Sequence, residues 1–309
     1  MTKIAILFPG QGSQTPGMGK SLYYHNQRFR ERFDLVDQHL NINLKSLCFE
    51  SDPRIEETQY SQLAIVSVSS LIAELVLDKG SMNQIYLLGH SLGEYSALYS
   101  AGVFSLEDML KLVKTRGTIT GDVATAVPSG MAAVLGGDED KTEALCANLR
   151  QIGHRVEIAN YNLPNQTVIS GTLTGLEEFR LRMAETKARR FMQLKVSGAF
   201  HSSLMQEASE RFLPFLKTTP RNKPLYHVMM NYDGKSLEIG KLDECLSKQL
   251  CHPIRFYPII QSLYDAGVST FIEIGPGTVL TNLVRKILPS VIAMSVNSEE
   301  DLNLMEVLL

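Results

Sequence analysis

The sequence predicts an α/β protein: a large three-layer domain with a mainly parallel sheet, plus a smaller inserted domain of βαββαβ order. Three observations carry this. Short, continuous apolar runs at residues 4–8 and 85–88 read as strands covered on both faces, and such runs alternate with longer helical patterns. Gly89-His90-Ser91-Leu92-Gly93 follows one of these strands and leads into a helix-forming run. Between about Ala124 and Val196 the order becomes strand, helix, strand, strand, helix, strand.

At 309 residues, the chain is long enough for a sizeable core. Apolar residues make up 44%, charged residues 20%, and the formal net charge is -3, so no strong field marks a nucleic-acid binder. The apolar runs at 63–68 and 71–77 are interrupted by Ser69, Ser70 and Glu74 and are short for a membrane span. The N-terminus goes from Lys3 straight into a strand-like run without the layout of a secretion signal, which points to a cytoplasmic protein. Cys48, Cys146, Cys245 and Cys251 have no paired metal spacing and read as reduced, buried thiols; Cys251 beside His252 lacks a second ligand pair, so no metal is expected.

In chain order, the first strand ends in the loop Pro9-Gly10-Gln11-Gly12-Ser13-Gln14. A phosphate loop would place Gly-Lys-Ser five residues after its first glycine, but Gly19-Lys20-Ser21 lies nine from Gly10 and seven from Gly12. A third glycine at the dinucleotide spacing is also missing, and the loop reads as a backbone donor to a small acyl group. Residues 24–40 and 44–49 have the helical periodicity of surface helices. Residues 59–77 are apolar nearly all round, which predicts a buried helix ended by Gly80. After the Gly89–Gly93 turn, Ser105 reads as an N-cap followed by acids, for a helix ending near Gly117 with Lys111, Lys114 and Arg116 in its last turns. Arg116 is equally explained there by solvent or the helix dipole.

Residues 125–196 then form the insertion, ferredoxin-like by its βαββαβ order, between large-domain segments 1–124 and 197–309. The large domain resumes with Ser197-Gly198, a helix over 204–216, a strand near 226–230 and a helix over 241–250. A helix over 259–266, a strand at 270–273 and a final helix opened by Gly275-Pro276-Gly277 complete it.

Ser91 in its Gly-x-Ser-x-Gly turn is a candidate nucleophile on an elbow of the α/β-hydrolase type, and a serine hydroxyl needs a base. Of the seven histidines, His25 and His39 lie on polar helix faces and His154 in a turn. His90 precedes the serine and points to the opposite face, supporting the turn. His201 follows the point where the chain re-enters the large domain and is the candidate base. No acid stands in the order of a hydrolase triad, so a Ser-His dyad is expected, its histidine oriented by some other group such as a backbone carbonyl.

Six segments together resemble the malonyl-CoA:acyl carrier protein transacylases, both the discrete fatty-acid enzymes and the trans-acting acyltransferases of polyketide synthases. They are Phe8-Pro9-Gly10-Gln11-Gly12-Ser13-Gln14, Gly89-His90-Ser91-Leu92-Gly93-Glu94-Tyr95, Arg116-Gly117, Asn160-Tyr161-Asn162, Gly198-Ala199-Phe200-His201-Ser202 and Glu273-Ile274-Gly275-Pro276-Gly277. The resemblance implies a ping-pong transfer in which His201 takes the proton of Ser91 and Ser91 attacks the acyl-CoA thioester. It implies an oxyanion hole from the amides of Gln11 and Leu92, Arg116 on the free carboxylate of the malonyl group, and a main-chain carbonyl at Gln249 orienting His201. His90, Phe200 and Asn162 would line the pocket. Malonyl-CoA and an acyl carrier protein with its phosphopantetheine arm are the implied partners; no cofactor, nucleic acid or membrane is implied, and a monomer is expected.

Ala199-Phe200-His201 resembles the pattern that goes with malonyl rather than methylmalonyl units. The chain departs from the family in having Thr120-Gly121 where Met-Gln is common and Leu163 where serine is common, which leaves a bulkier acyl unit as an alternative. A hydrolase that clears acyl groups from stalled carriers is a second alternative, although such members tend to lose the arginine. A non-catalytic docking subunit is a third. Arg180, Arg182, Lys187, Arg189 and Arg190 make the insertion locally basic, either as a solvated helix face or as a surface for an acidic carrier.

Overall fold

The computed structural model describes residues 3–77 and 84–308. In chain order, β1 (Lys3–Phe8) precedes α1 (Lys20–His25), α2 (Gln27–Leu40) and α3 (Leu44–Phe49). A 3-10 turn at Pro53–Glu56 leads to α4 (Thr58–Leu77), then β2 (Gln84–Gly89), α5 (Gly93–Ser100) and α6 (Leu106–Ala126). Next come β3 (Ser129–Leu135), α7 (Glu139–Gln151), β4 (Val156–Leu163), β5 (Gln166–Thr172), α8 (Leu173–Arg182) and β6 (Arg190–Gln193). After α9 (Gln206–Thr218) and β7 (His227–Met229) follow α10 (Leu242–Gln249), α11 (Phe256–Asp265) and β8 (Val268–Ile274). The described chain closes with α12 (Val279–Ile287), β9 (Ile292–Val296) and α13 (Glu299–Leu308).

Two compact units emerge. The first comprises Met1–Gly117, Thr219–Met230 and Ser262–Leu309 and holds a five-stranded sheet in the order β7-β2-β1-β8-β9, every pairing parallel. Ile4 to Phe8 are all buried, so both faces of the central strand are covered, as three layers require. Phe8 is level with Gly89 and Leu7 with Glu273, so the loops after β1, β2 and β8 leave the sheet side by side at its carboxyl end. That edge is where open parallel sheets place their ligands.

The second unit comprises Thr118–Thr218 and Asn231–Gln261 and holds an antiparallel sheet in the order β4-β5-β3-β6. Its βαββαβ order is that of a ferredoxin-like unit. One face buries Val134, Ile158, Ile169, Leu149 and Phe179 with the helices; the other buries Met131, Ala133, Ala159 and Val168.

The division does not fall at the expected 124/125 and 196/197. Backbone bonds tie the later segments to the antiparallel sheet: Tyr161 N–H to the Ile254 carbonyl at 2.9 Å, and Ile254 N–H to that of Ala159 at 2.8 Å. Neither pairing is visible in local periodicity. The helix expected to stop near Gly117 runs to Ala126, so Lys111, Lys114 and Arg116 lie mid-helix and the dipole reading of Arg116 fails. Gly117 stays inside because α6 passes so close to α4 that a Cβ there would lie 2.9 Å from the Gln59 Cα. The helix expected over 24–40 starts only at Gln27, where the Asn26 side chain accepts from the Phe29 amide and caps it. The helix at 279–287 is not final, since β9 and α13 follow it. The stop expected at Gly80 lies outside the described residues. At 20 residues α4 is also long and apolar enough to cross a membrane, contrary to the reading of its interrupted runs, and 83% of its most apolar window is buried in the protein.

Candidate active site

β2 ends in Gly89, and Ser91 then takes φ 53, the left-handed region that a side chain enters at a cost of about 1–3 kcal/mol. Both flanking glycines are forced. A Cβ at Gly89 would lie 1.9 Å from the Glu94 nitrogen, and one at Gly93 2.1 Å from the Phe8 carbonyl oxygen. Backbone bonds lock the turn: His90 N–H donates to Phe8 and Gly93 N–H to His90, at 2.9 and 3.1 Å. His90 thus serves the turn through its backbone and packs on Gly10, where a Cβ would meet its carbonyl oxygen at 2.5 Å.

The amides of Glu94 and Tyr95 donate to Ser91 and Leu92 carbonyls, whereas those of Gln11 and Leu92 donate to no group among the described residues. The two amides follow the ends of the adjacent parallel strands β1 and β2, and N–H donors of this kind suit an oxygen that acquires negative charge.

Arg116 projects from α6 and is only 4% exposed. Its Nη2 lies 3.5 Å from Ser91 Oγ, and its Nη1 donates to Gln62 Oε1 at 2.8 Å. Gln62 Nε2 reaches Gln11 Oε1 at 3.4 Å, and Gln11 Nε2 reaches Thr58 Oγ1 at 3.4 Å. The guanidinium also lies over the Tyr95 ring, 5.6 Å from its centroid. Burial pushes the Arg116 pKa down, against the opposing pull of Tyr95 and of Glu94, itself fully buried. Desolvation in turn raises the Tyr95 phenol. A desolvated cation beside the serine is suited to an anion carried in with the ligand. Gln62 was not singled out in the sequence; its signal is a long polar side chain in the middle of an otherwise apolar, buried helix.

In the second unit, His201 is 5% exposed and has φ 60. Its amide donates to the Leu250 carbonyl at 3.0 Å, and its Nδ1 lies 2.8 Å from the Gln249 carbonyl oxygen. A carbonyl only accepts, so Nδ1 carries the proton and Nε2 keeps its lone pair. Gly198, just before it, would bring a Cβ within 2.5 Å of Ala124 Cβ. Phe200 packs on the Met131 face of the antiparallel sheet, and its carbonyl accepts from Ser170 Oγ at 2.5 Å. Asn162 and Leu163 close β4, both buried, and Thr120 is buried in α6 one turn beyond Arg116. A Cβ at Gly121 would meet open space.

Of the basic residues, Arg180 pairs with Glu177 at 2.6 Å and Arg182 with Glu185 at 2.8 Å, both within their own turn of chain. Lys187 lies 4.0 Å from Asp138. Three of the five thus have local counter-charges. All four cysteines are free and buried, and burial holds Cys146 up to about 12.

A parallel sheet carrying a serine at positive φ at the head of a helix, with a buried cation 3.5 Å from its hydroxyl, is the kind of site on which α/β enzymes act on acyl groups. Comparison with known proteins is more specific. The description "Acyl transferase domain" matches residues 6–305, and the chain belongs to that family. It is 38% identical to the malonyl CoA-acyl carrier protein transacylase of Bacillus subtilis (strain 168), over 98% of this chain and 96% of that one. Its fold superposes on MCAT from Streptococcus pneumoniae with a TM-score of 0.93 and 34% identity, covering 99% and 100% of the two chains. It also superposes on a malonyl-transacylase in complex with its holo type II PKS acyl-carrier protein, with a TM-score of 0.92, 30% identity and 98% of each chain covered.

Proposed function

We propose that the chain transfers a malonyl group from malonyl-CoA to the phosphopantetheine thiol of an acyl carrier protein, in fatty-acid or polyketide synthesis, with Ser91 holding the group between the two steps. The observation that carries this reading is the buried Arg116 guanidinium 3.5 Å from the Ser91 hydroxyl. An acyl group that ends in a carboxylate supplies the counter-ion such a cation favours, and a planar fork binds it better than an ammonium would.

The mechanism follows from the parts. His201 Nε2 accepts the Ser91 proton, the freed oxygen attacks the thioester carbonyl, and the negative charge forms between the Gln11 and Leu92 amides. Collapse expels coenzyme A, which takes the proton from His201. The carrier's thiol then gives its proton to His201, attacks the serine ester by the same route, and Ser91 recovers its proton. The Gln249 carbonyl keeps His201 in the tautomer that can act as base. Phe200 and Asn162 are read as pocket residues, with the buried Thr120 and open Gly121 marking where a larger acyl unit would be accommodated. Free, buried thiols and a coenzyme A substrate fit a cytoplasmic enzyme.

Labelled malonyl-CoA and acetyl-CoA, each with and without a holo carrier, test the reading, alongside preformed malonyl-carrier given alone. Malonyl label passing from protein to carrier is expected. Free malonate released from the preformed malonyl-carrier would instead make the chain a hydrolase, and acetyl transfer as fast as malonyl transfer would remove the role given to Arg116.

A further inference from the structure

The motif Glu273-Ile274-Gly275-Pro276-Gly277 has no part in the chemistry above, yet it contains a fully buried carboxylate level with the last residues of β1. Glu273 Oε1 accepts from the Leu280 amide at 3.1 Å and Oε2 from the Thr281 amide at 2.8 Å. These belong to the first turn of α12, whose own N-cap, Thr278, makes no side-chain capping bond. The carboxylate thus takes over the cap from the preceding strand, and the six residues between Glu273 and Leu280 become a closed ring.

The ring is the wall of the Gln11 loop. At Gly275, with φ 133, a Cβ would lie 2.9 Å from Pro9 Cγ and 2.2 Å from Ser69 Oγ; at Gly277, with φ 82, it would lie 3.5 Å from the Ser13 carbonyl oxygen. Pro9 and Ser13 bracket Gln11. Ser13 closes that bracket with its hydroxyl and amide both on the Gly10 carbonyl, at 2.7 and 3.3 Å. On the other side the loop rests against the serine turn through Gly10 and His90. The Gln11 amide is held between two rigid walls, one built by Gly89–Gly93 and the other by Glu273.

We propose that Glu273 is a positioning residue for the oxyanion-binding amide of Gln11, acting through the Gly275-Pro276-Gly277 ring and Pro9. It rests on the reading of Gln11 as an oxyanion donor. A donor that bonds only the charge developed in the transition state sets kcat and leaves substrate affinity alone. Glu273→Gln keeps the shape but turns an N–H₂ toward an N–H, so one amide of α12 loses its acceptor and the ring relaxes.

The test is pre-steady-state acylation of Ser91 by malonyl-CoA and by acetyl-CoA in wild type, Glu273→Gln and Gly277→Ala. The last variant strains the ring at positive φ without touching the carboxylate. Both variants are expected to slow acylation by both substrates about equally, roughly 10- to 100-fold on the scale of a misplaced oxyanion donor, with KM for malonyl-CoA unchanged. Circular dichroism and active-site counting normalise the rates to folded protein. A folded Glu273→Gln that acylates at the wild-type rate overturns the proposal, as does a change confined to KM or to malonyl-CoA. Failure of the wild type to acylate Ser91 at all would instead overturn the functional reading beneath it.

Discussion

Arg116 is buried, with little solvent to stabilise its charge, so a carboxylate brought to it would bind far more strongly there than in bulk water. Arg116→Ala is expected to cost malonyl-CoA turnover about 100-fold or more, in the range of a lost charged hydrogen-bond pair, while acetyl-CoA is spared or improved. Steady-state kcat/KM on the two substrates checks this, and an equal loss on both would make the residue structural. At this scale the sequence was unevenly legible. Ser91 and His201 stood out by motif and position, and both take positive φ. Arg116 stood in a motif but could not be separated from a dipole or solvent role, because its surroundings come from α4, some fifty residues earlier. Gln62 was hidden for the same reason: its bonds to Arg116 and Gln11 are all long-range in sequence.

At the scale of elements, the site depends on two close backbone approaches. One is the serine turn, where Gly93 lies against the Phe8 carbonyl; the other is the crossing of α6 over α4 at Gly117. Alanine for glycine inside an exposed helix stabilises by roughly 1 kcal/mol. Here the added methyl meets the Gln59 backbone, next to Arg116 on one helix and a turn from Gln62 on the other. Gly117→Ala is therefore expected to lower the melting temperature and raise KM for malonyl-CoA several-fold, which thermal melts and kinetics measure together; a raised melting temperature would show that the helices can move apart freely. Strands and helices with strong periodicity were readable from the sequence, including nearly all of the βαββαβ unit. The end of α6 was not, because glycine is an ordinary helix stop and only a tertiary neighbour explains why it stays helical. β9 and α13 carry weak local signals: a mostly apolar stretch at 292–296 broken by Ser295, and Ser298, whose hydroxyl accepts from the Asp301 amide.

At the scale of the whole molecule, topology gathers segments far apart in sequence within each of the two units. In the first unit, the parallel register aligns the ends of β1, β2 and β8, so that the Gln11 loop, the Ser91 turn and the Gly275 ring share one edge. In the second, bonds from residues 249–254 to His201 and β4 join pieces that composition and periodicity treat as separate domains. Those pairings involve single backbone bonds at long sequence separation, which leave no pattern for a sequence reading to detect. Ser91 as a temporary malonyl carrier can be examined by brief mixing with malonyl-CoA, acid quenching, digestion and mass spectrometry, with and without a chase of holo carrier protein. A malonyl ester is expected on the peptide containing Ser91, stable without the chase and lost to the carrier's thiol when the chase is added. An adduct on any other residue, or an ester released as free malonate equally fast with and without the carrier, would contradict it.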